Sequence, residues 1–361
     1  MKILILANND QGLFKFRREL IEALLRKRHE VFLSLPDGDM IRPFQAMGCQ
    51  FIDTSIDRRG INPWHDLRLL CQYCRIIQRV KPDLVITYTI KPNIYGGLAA
   101  RLAGRTYAAN ITGLGTAFER ANWLRRMVAR MYSTALMKAK VVFVENNDLG
   151  EKALAFRLCR AEAICILNGA GVNTEAFAYL EYPDNDIFHF LFVGRVMREK
   201  GMDELLASGQ RLHDEGETVM IEVVGPYEEA AYQERLRRAE GEGWLRYHGF
   251  QQDPRPFIRR CDCVVLPSWH EGMANTNLES ASSGRPIITS DIPGCREALV
   301  DGETGLLCQP KDADSLYEAM KRMMALPREA RRAMGIRGRA RMEAIFEKQM
   351  VVDETMRQLF K

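Results

Sequence analysis

The sequence predicts an α/β protein made of two consecutive doubly wound parallel-sheet domains. Three observations carry that prediction. At 361 residues the chain is too long for one comfortable core and suits two α/β domains. Short, continuous apolar runs alternate with amphipathic segments, as strands covered by helices on both faces require. The alternation then halts at a polar, turn-rich stretch, AYLEYPDNDI (178–187), and begins again.

In the first half, KILILA (2–7) reads as a buried parallel strand, because an unbroken apolar run needs cover on both sides. FRRELIEALLRKR (16–28) follows as a helix, with Leu20, Leu24 and Leu25 at helical spacing. EVFLSL (30–35), QFIDT (50–54), DLVIT (83–87), TYAANI (106–111) and KVVFVE (140–145) read as further strands separated by helical segments. After the 178–187 linker, FHFLFVG (188–194) opens a second set with TVMIEVVG (218–225), LRYHGF (245–250), DCVVLP (262–267), RPIITS (285–290) and GLLCQ (305–309). Helices are expected at 202–214 and 312–325, with a final helical stretch over 328–360. The expected domains are 1–177 and 188–345, with 346–361 packing back toward the first. Each doubly wound unit binds ligands beyond the carboxyl ends of its strands, so the crevice between the two domains is the expected site.

Composition excludes several classes. The 47% apolar and 27% charged content is that of a soluble globular protein. MKILILANND carries one Lys and six apolar residues before polar turn residues, too short a run for a signal sequence, and no stretch is long enough to span a bilayer. Nine scattered Cys lack a disulfide framework, and the one CxxC, Cys71 to Cys74, has no second ligand pair, so reduced structural thiols are expected. The net charge of +4 conceals a split: residues 1–170 hold 26 Lys+Arg against 15 Asp+Glu (+11), and residues 171–361 hold 25 against 32 (−7). A basic first half suits an anionic surface. Without aromatic-basic interleaving or a helix-turn-helix pattern, nucleic acid is not the expected partner.

Five segments carry chemistry. Glu271 and Glu279 stand eight positions apart in EGMANTNLE, after the strand 262–267. Glu279 lies about one and a half turns inside a helix starting near Asn275 or Thr276, and Glu271 in the loop ahead of it, where a helix N-terminus can face a phosphate. In VGRVMREKG (193–201), Gly194 permits a tight turn while Arg195 and Lys200 project two positive charges that can stabilise a departing diphosphate. IPGCRE (292–297) sets Gly294 in a turn with further backbone N–H groups. NNDQGL (8–13) lacks a G-x-G-x-x-G fingerprint, which disfavours a dinucleotide cofactor. NITGLG (110–115) is a glycine-bearing loop after a first-domain strand.

Together these segments resemble family 4 of the retaining glycosyltransferases, over nearly the whole chain. SWHEGMANTNLESASSGRPIITSDIPGCREALVDGETGLL (268–307), FVGRVMREKG (192–201) and ILNGAGVNTEAF (166–177) carry the match. The resemblance implies the GT-B fold: two Rossmann-like doubly wound domains with an interdomain cleft. It implies Arg195 and Lys200 on the donor diphosphate, Glu271 on the transferred sugar, Glu279 on the nucleotide ribose, and His248, Gly249 and Phe250 at the base. Backbone N–H groups of Met273, Ala274 and Asn275 are expected to meet sugar or phosphate. GLFKFRRELIEALL (12–25), KPNIYGGLAAR (91–101) and NITGLGTAF (110–118) are similar to a narrower group, bacterial enzymes extending polyprenyl-diphosphate-linked oligosaccharides, N-acetylgalactosaminyltransferases and capsular enzymes among them. On that likeness Gly12, Lys15, Arg17, Lys91, Asn93, Thr112 and Gly113 are the acceptor-side residues. The chain departs from the pattern in two places: Asn9-Asp10-Gln11-Gly12 replaces a Gly-Gly pair, and Tyr88 stands where relatives often carry a histidine.

The implied partners are a nucleotide diphosphate-sugar, a UDP-sugar on the narrower likeness, and a lipid-linked glycan acceptor. An anionic membrane is a third, the protein being cytoplasmic and peripheral at the inner face. Segment 123–140 places Trp123, Met127, Met131 and Ala135 on one face and Arg125, Arg126 and Arg130 on another, as interfacial helices do. Arg58-Arg59 with Ile61 and Trp64 form a second candidate patch. Asp37-Gly38-Asp39 and Asp184-Asn185-Asp186 match an Asp-x-Asp metal motif formally, but both lie in turns, and no cofactor or essential metal is expected. The rival readings are a GT-B nucleotide-sugar epimerase and a non-catalytic nucleotide-sugar-binding protein.

Overall fold

The apolar runs form strands whose successive side chains enter opposite cores. The computed structural model describes residues 1–57, 60, 62–115, 118 and 123–361, which divide into two units, Met1–Ala170 with Gln349–Lys361, and Gly171–Lys348. The strands of the first are β1 (Lys2–Leu6), β2 (Glu30–Leu35), β3 (Gln50–Asp53), β4 (Leu84–Tyr88), β5 (Thr106–Ile111), β6 (Val141–Val144) and β7 (Ile164–Ile166). They pair in parallel in the order β3-β2-β1-β4-β5-β6-β7. Ile3 and Ile5 of β1 enter one core with Leu20 and Leu24 of the first helix, while Leu4 and Leu6 enter the other with Tyr73, Ile77 and Tyr132. Each such fully buried side chain contributes about 1.5–3 kcal/mol.

The second unit repeats the plan with β8 (Phe188–Val193), β9 (Val219–Val224), β10 (Leu245–Tyr247), β11 (Cys263–Leu266), β12 (Ile287–Ser290) and β13 (Gly305–Cys308). Its parallel order is β10-β9-β8-β11-β12-β13. Strand order reverses direction beside β1 and β4 in one unit and beside β8 and β11 in the other, the switch points where doubly wound sheets bind ligands.

Four expectations are corrected. The first helix spans Asp10–Arg26 rather than starting at residue 16, because Asn9 caps it, its Oδ1 accepting from the Gly12 amide at 2.6 Å. The short edge strand β7 was not anticipated; three residues carry too little periodicity to be read. The 178–187 segment belongs to the second unit, whose boundary falls after Ala170. Its turn-rich composition suggested a linker, but the guanidinium of Arg285, wholly buried, donates to the carbonyls of Leu180 (2.9 Å) and Glu181 (2.8 Å) as well as Ile258 and Arg259. Tyr182 adds a bond from its hydroxyl to the Asp262 carbonyl at 2.9 Å. The tail, expected as one helical stretch, is broken into Arg328–Arg341, a π-helical turn Met342–Phe346 and Lys348–Phe360. The last helix groups with the first unit, where Val351, Val352, Met356 and Leu359 fill one core and Lys140 Nζ donates to the Leu359 carbonyl at 3.0 Å. Arg58, Arg59 and Ile61 of the second candidate patch lie outside the described residues. No described helix is long and apolar enough to cross a membrane.

Candidate active site

Two turns at the switch point of the second sheet bring the principal candidates together. One leaves β8 through Gly194 and Arg195, makes a 3-10 turn at Arg198–Lys200, and enters the helix Met202–Asp214 at Gly201. The other leaves β11 through Pro267 and Ser268 and reaches Glu271 before the helix Asn275–Ser282. Gly201 has φ +76°, and a Cβ on it would lie 2.0 Å from the carbonyl oxygen of Pro267, so only glycine lets the turns approach this closely. Trp269 fastens them: its amide donates to the Glu199 carbonyl at 2.9 Å, and its indole N–H to Glu204 Oε1 at 3.1 Å. Thr276 Oγ1, in the first turn of Asn275–Ser282, donates to the Val193 carbonyl at 3.1 Å.

As a result Lys200 Nζ donates to Glu271 Oε1, the oxygen that also accepts from Ser268 Oγ at 2.9 Å. Both side chains are largely buried, at 18% and 13% exposure. Arg195 is about half exposed and loosely paired, 3.6 Å from Glu228. Glu279 is buried in Asn275–Ser282, at the depth the spacing predicts.

Some donor-side expectations change role. The Ala274 amide is committed to the Gly294 carbonyl at 2.7 Å, and the Gly294 amide to Glu297 Oε2 at 2.7 Å, so neither N–H is the phosphate or sugar donor it was expected to be. Gly294 is instead a support: its φ is +86°, and a Cβ there would stand 2.7 Å from the carbonyl oxygens of Glu271 and Gly272. Asn275 opens its helix, where first-turn amides have no intrahelical acceptor; Met273 is buried beside it. Gly194 needs no left-handed backbone, but its carbonyl oxygen is only 1.7 Å from where a Cβ of Gly225 would fall. Of the base-side trio, Phe250 is exposed and Gly249 has φ +66°, whereas the His248 ring turns inward to Glu222 Oε2 at 3.0 Å. Glu222, absent from the sequence expectations, has no motif to mark it.

In the first unit, Arg17 is buried and pairs with Glu145 at 2.8 Å, its guanidinium 5.3 Å from the Tyr88 ring centre. Glu145 follows β6 and Tyr88 ends β4, so this group sits at that sheet's carboxyl edge. Burial pushes the Tyr88 phenol up to about 12, and its hydroxyl has no hydrogen-bond partner among the described residues. Thr89 beside it has φ +73°, a conformation that costs a β-branched residue about 1–3 kcal/mol, and its buried hydroxyl likewise finds no partner among the described residues. Glu145, Tyr88 and Thr89 thus mark the place more firmly than several expected residues. Asn93 is corrected: fully buried, it accepts from Thr87 Oγ1 at 2.7 Å and donates to the Asn110 carbonyl at 2.8 Å, pinning β4 to β5. Lys91 is paired with Asp66 at 2.7 Å and Gly12 belongs to the helix cap, while Lys15 is exposed and Thr112 and Gly113 are half-buried just past β5. Among the described residues no group of three or more His, Cys, Asp or Glu is placed to hold a metal ion.

Comparison with known proteins agrees with this architecture. Residues 12–169 match the glycosyl transferase 4-like domain and residues 187–325 the family described as glycosyl transferases group 1. The chain is 26% identical over 341 residues to N,N'-diacetylbacillosaminyl-diphospho-undecaprenol alpha-1,3-N-acetylgalactosaminyltransferase of Campylobacter jejuni, covering 90% of this chain and 89% of that one. It is 24% identical over 354 residues to the capsular polysaccharide biosynthesis glycosyltransferase CapM of Staphylococcus aureus, covering 93% and 91%. Among solved structures, a glycosyltransferase from Rickettsia africae superposes with a TM-score of 0.81 at 15% identity, over 99% of this chain and 97% of that one. Anabaena HepE in complex with UDP-glucose superposes at 0.80 with 17% identity, over 99% of both chains.

Proposed function

The chain belongs to the family 4 (group 1) glycosyltransferases, enzymes of the GT-B fold, and from that premise we propose that it transfers an N-acetylhexosamine or hexose from a UDP-sugar to a polyprenyl-diphosphate-linked saccharide during bacterial surface glycan assembly. The observation that carries this reading is the Lys200–Glu271–Ser268 group at the carboxyl ends of β8 and β11, with Arg195 in the same turn after β8. In the proposed mechanism the bond from the anomeric carbon to the diphosphate breaks and the negative charge develops toward Arg195 and Lys200. The acceptor hydroxyl attacks from the same face, with retention, and its proton passes to the departing phosphate oxygen. Glu271 bonds the hydroxyls of the transferred sugar, and Glu279 the ribose. Preorganised cations aimed at the developing charge do this work without solvent reorganisation. The names of the Campylobacter and Staphylococcus relatives support a lipid-linked or capsular acceptor, and the UDP-glucose bound by Anabaena HepE supports a uridine donor.

A thermal-shift series with UDP, GDP, ADP and their common sugars tests the donor. At one hundred times its dissociation constant a ligand stabilises the fold by about 2.7 kcal/mol, several degrees in Tm. A shift with UDP and a UDP-linked sugar, and none with GDP or ADP, is expected; no shift with any nucleotide overturns the donor reading. Because Arg195 and Lys200 supply the positive charge, turnover in EDTA is expected to stay within about twofold of that with Mg²⁺.

The acceptor's lipid anchor brings an anionic membrane into the proposal. The helices Pro63–Val80 and Trp123–Leu136 both start at the carboxyl edge of the first sheet, and each exposes an aromatic residue in its first turn: Trp64 is 78% and Trp123 71% exposed. Leu67 and Met127 extend these apolar tips, and Arg125, Arg126 and Arg130 accompany the second. Each basic residue near an anionic leaflet adds about 1 kcal/mol of binding. The protein is expected to co-sediment with phosphatidylglycerol vesicles at low salt, to release at high salt, and to bind several-fold more weakly as Trp64→Ala, Trp123→Ala. Equal recovery with anionic and zwitterionic vesicles would sink the membrane reading.

A further inference from the structure

A buried carboxylate in β9 organises the turn assigned above to the base. Glu222 is 3% exposed, in a strand whose neighbours Ile221 and Val223 are core residues. It collects donors from three separate segments: His189 Nδ1 on β8 at 3.1 Å, His248 Nε2 after β10 at 3.0 Å, and Arg260 at the end of the helix Arg255–Arg260, whose Nε reaches both oxygens at 3.1 and 3.0 Å. An ionised carboxylate only accepts, so the ring nitrogens facing it are the donors. Burial raises this carboxyl, but the bonds from His189 and Arg260 and the charges of Arg260 and His248 outweigh it and leave the group at about 2. The carboxylate form is therefore the one favoured at neutral pH.

A buried ion cluster of this kind is seldom a gain in stability over apolar packing, so stability alone does not account for it. Its geometry does. The His248 amide donates to the Val223 carbonyl at 2.9 Å, and the Gly225 amide to the Gly249 carbonyl at 2.8 Å. Gln251 Nε2 donates to the His248 carbonyl at 2.8 Å, and the His248 ring packs 4.7 Å from that of Phe257. With the histidine anchored inward, Gly249 and Phe250 are the residues presented outward, Phe250 at 62% exposure.

We propose that Glu222 is a positioning residue for nucleotide binding: it holds the His248 ring inward and so keeps the turn 248–250 in the shape that receives the base. The inference rests on the reading of that turn as the base-holding segment. It assigns His248 to the support of the turn, leaving Gly249 and Phe250 as the base contacts.

The test is a double-mutant cycle on the full chain, with UDP affinity by calorimetry, donor KM and kcat, and Tm for every variant. Glu222→Gln is expected to weaken UDP binding and raise donor KM about tenfold, with kcat within about twofold, the size of one lost charge-assisted hydrogen bond. His248→Gln is expected to have a similar effect, and the double variant to cost little more than either single, because both break the same link. Additive effects, or a Glu222→Gln variant that binds UDP like wild type while His248→Gln does not, overturn the positioning role and leave the base assignment standing. Should Phe250→Ala and His248→Gln both bind UDP normally, the base assignment itself fails and the inference falls with it. If Glu222→Gln does not fold, Glu222→Asp, which keeps the charge but withdraws it by one methylene, is read in the same way.

Discussion

Lys200→Ala is expected to lower kcat about 10²–10³-fold, the loss typical when one preorganised electrostatic group is removed from a reacting centre. The ammonium pairs with Glu271 at the mouth of β8 and β11, where both are mostly shielded from water. On the proposed mechanism two effects add in the variant: the developing diphosphate charge loses a cation, and Glu271 loses one of its two partners among the described residues, keeping the Ser268 hydroxyl. Glu271→Ala is expected to fall by a similar factor, through loss of the sugar contact proposed above. Because each residue holds the other, the double variant should be little worse than the poorer single, as groups that act as a unit are non-additive. The comparison needs kcat and donor KM for both singles and the double, with Tm to verify the fold. Near-normal turnover in either single would remove the pair from the mechanism, and strictly multiplicative losses would show that the two act separately.

Gly201→Ala is expected to destabilise the second unit by about 3 kcal/mol or more, combining about 1–2 kcal/mol for a left-handed L-residue with a backbone clash. The methyl would lie 2.0 Å from the Pro267 carbonyl oxygen, and neither partner has a rotamer to retreat into. Gly302→Ala is the matched control: its φ of +75° is the same within a degree, but nothing lies within 4 Å of the new methyl. It should cost only the conformational part. Denaturation of the two variants under one condition therefore separates strain from collision. If Gly201→Ala loses no more stability than Gly302→Ala, the close approach of the two turns is not what glycine serves there. Activity adds a second readout, since any shift that relieves the clash moves Lys200 away from Glu271.

Much of the fold was legible in the chain itself. Runs such as KILILA and FHFLFVG are apolar at all positions but one, the pattern of a strand covered on both faces, and they form β1 and β8. The segment EGMANTNLE predicts a helix starting near Asn275 or Thr276, and it begins at Asn275. Less was legible wherever a local signal was overruled from afar. Pro183 and the run Asp184-Asn185-Asp186 look like a linker, yet Arg285, a hundred residues on, binds that segment into the second unit through its carbonyls. Gly12 looked like part of a loop, and Asn9 turned it into the first turn of a helix. Asn93 sits in a motif that suggests ligand contact, but its side chain is spent on Thr87 and Asn110 inside the protein.

Sequence alone thus determined the two doubly wound units and the family, and marked Arg195, Lys200, Glu271 and Glu279 as the candidate residues. Periodicity and motif spacing are local, and they survive reading one residue after another. Only the tertiary structure decided that Lys200 meets Glu271, that the His248 ring faces Glu222, that Gly294 supports rather than donates, and that Arg17, Glu145 and Tyr88 share one edge of the first sheet. His248 and Glu222 lie 26 positions apart, and Arg17 and Glu145 lie 128 apart. They meet because parallel strands bring successive carboxyl ends to the same side of a sheet, a proximity that no stretch of sequence contains.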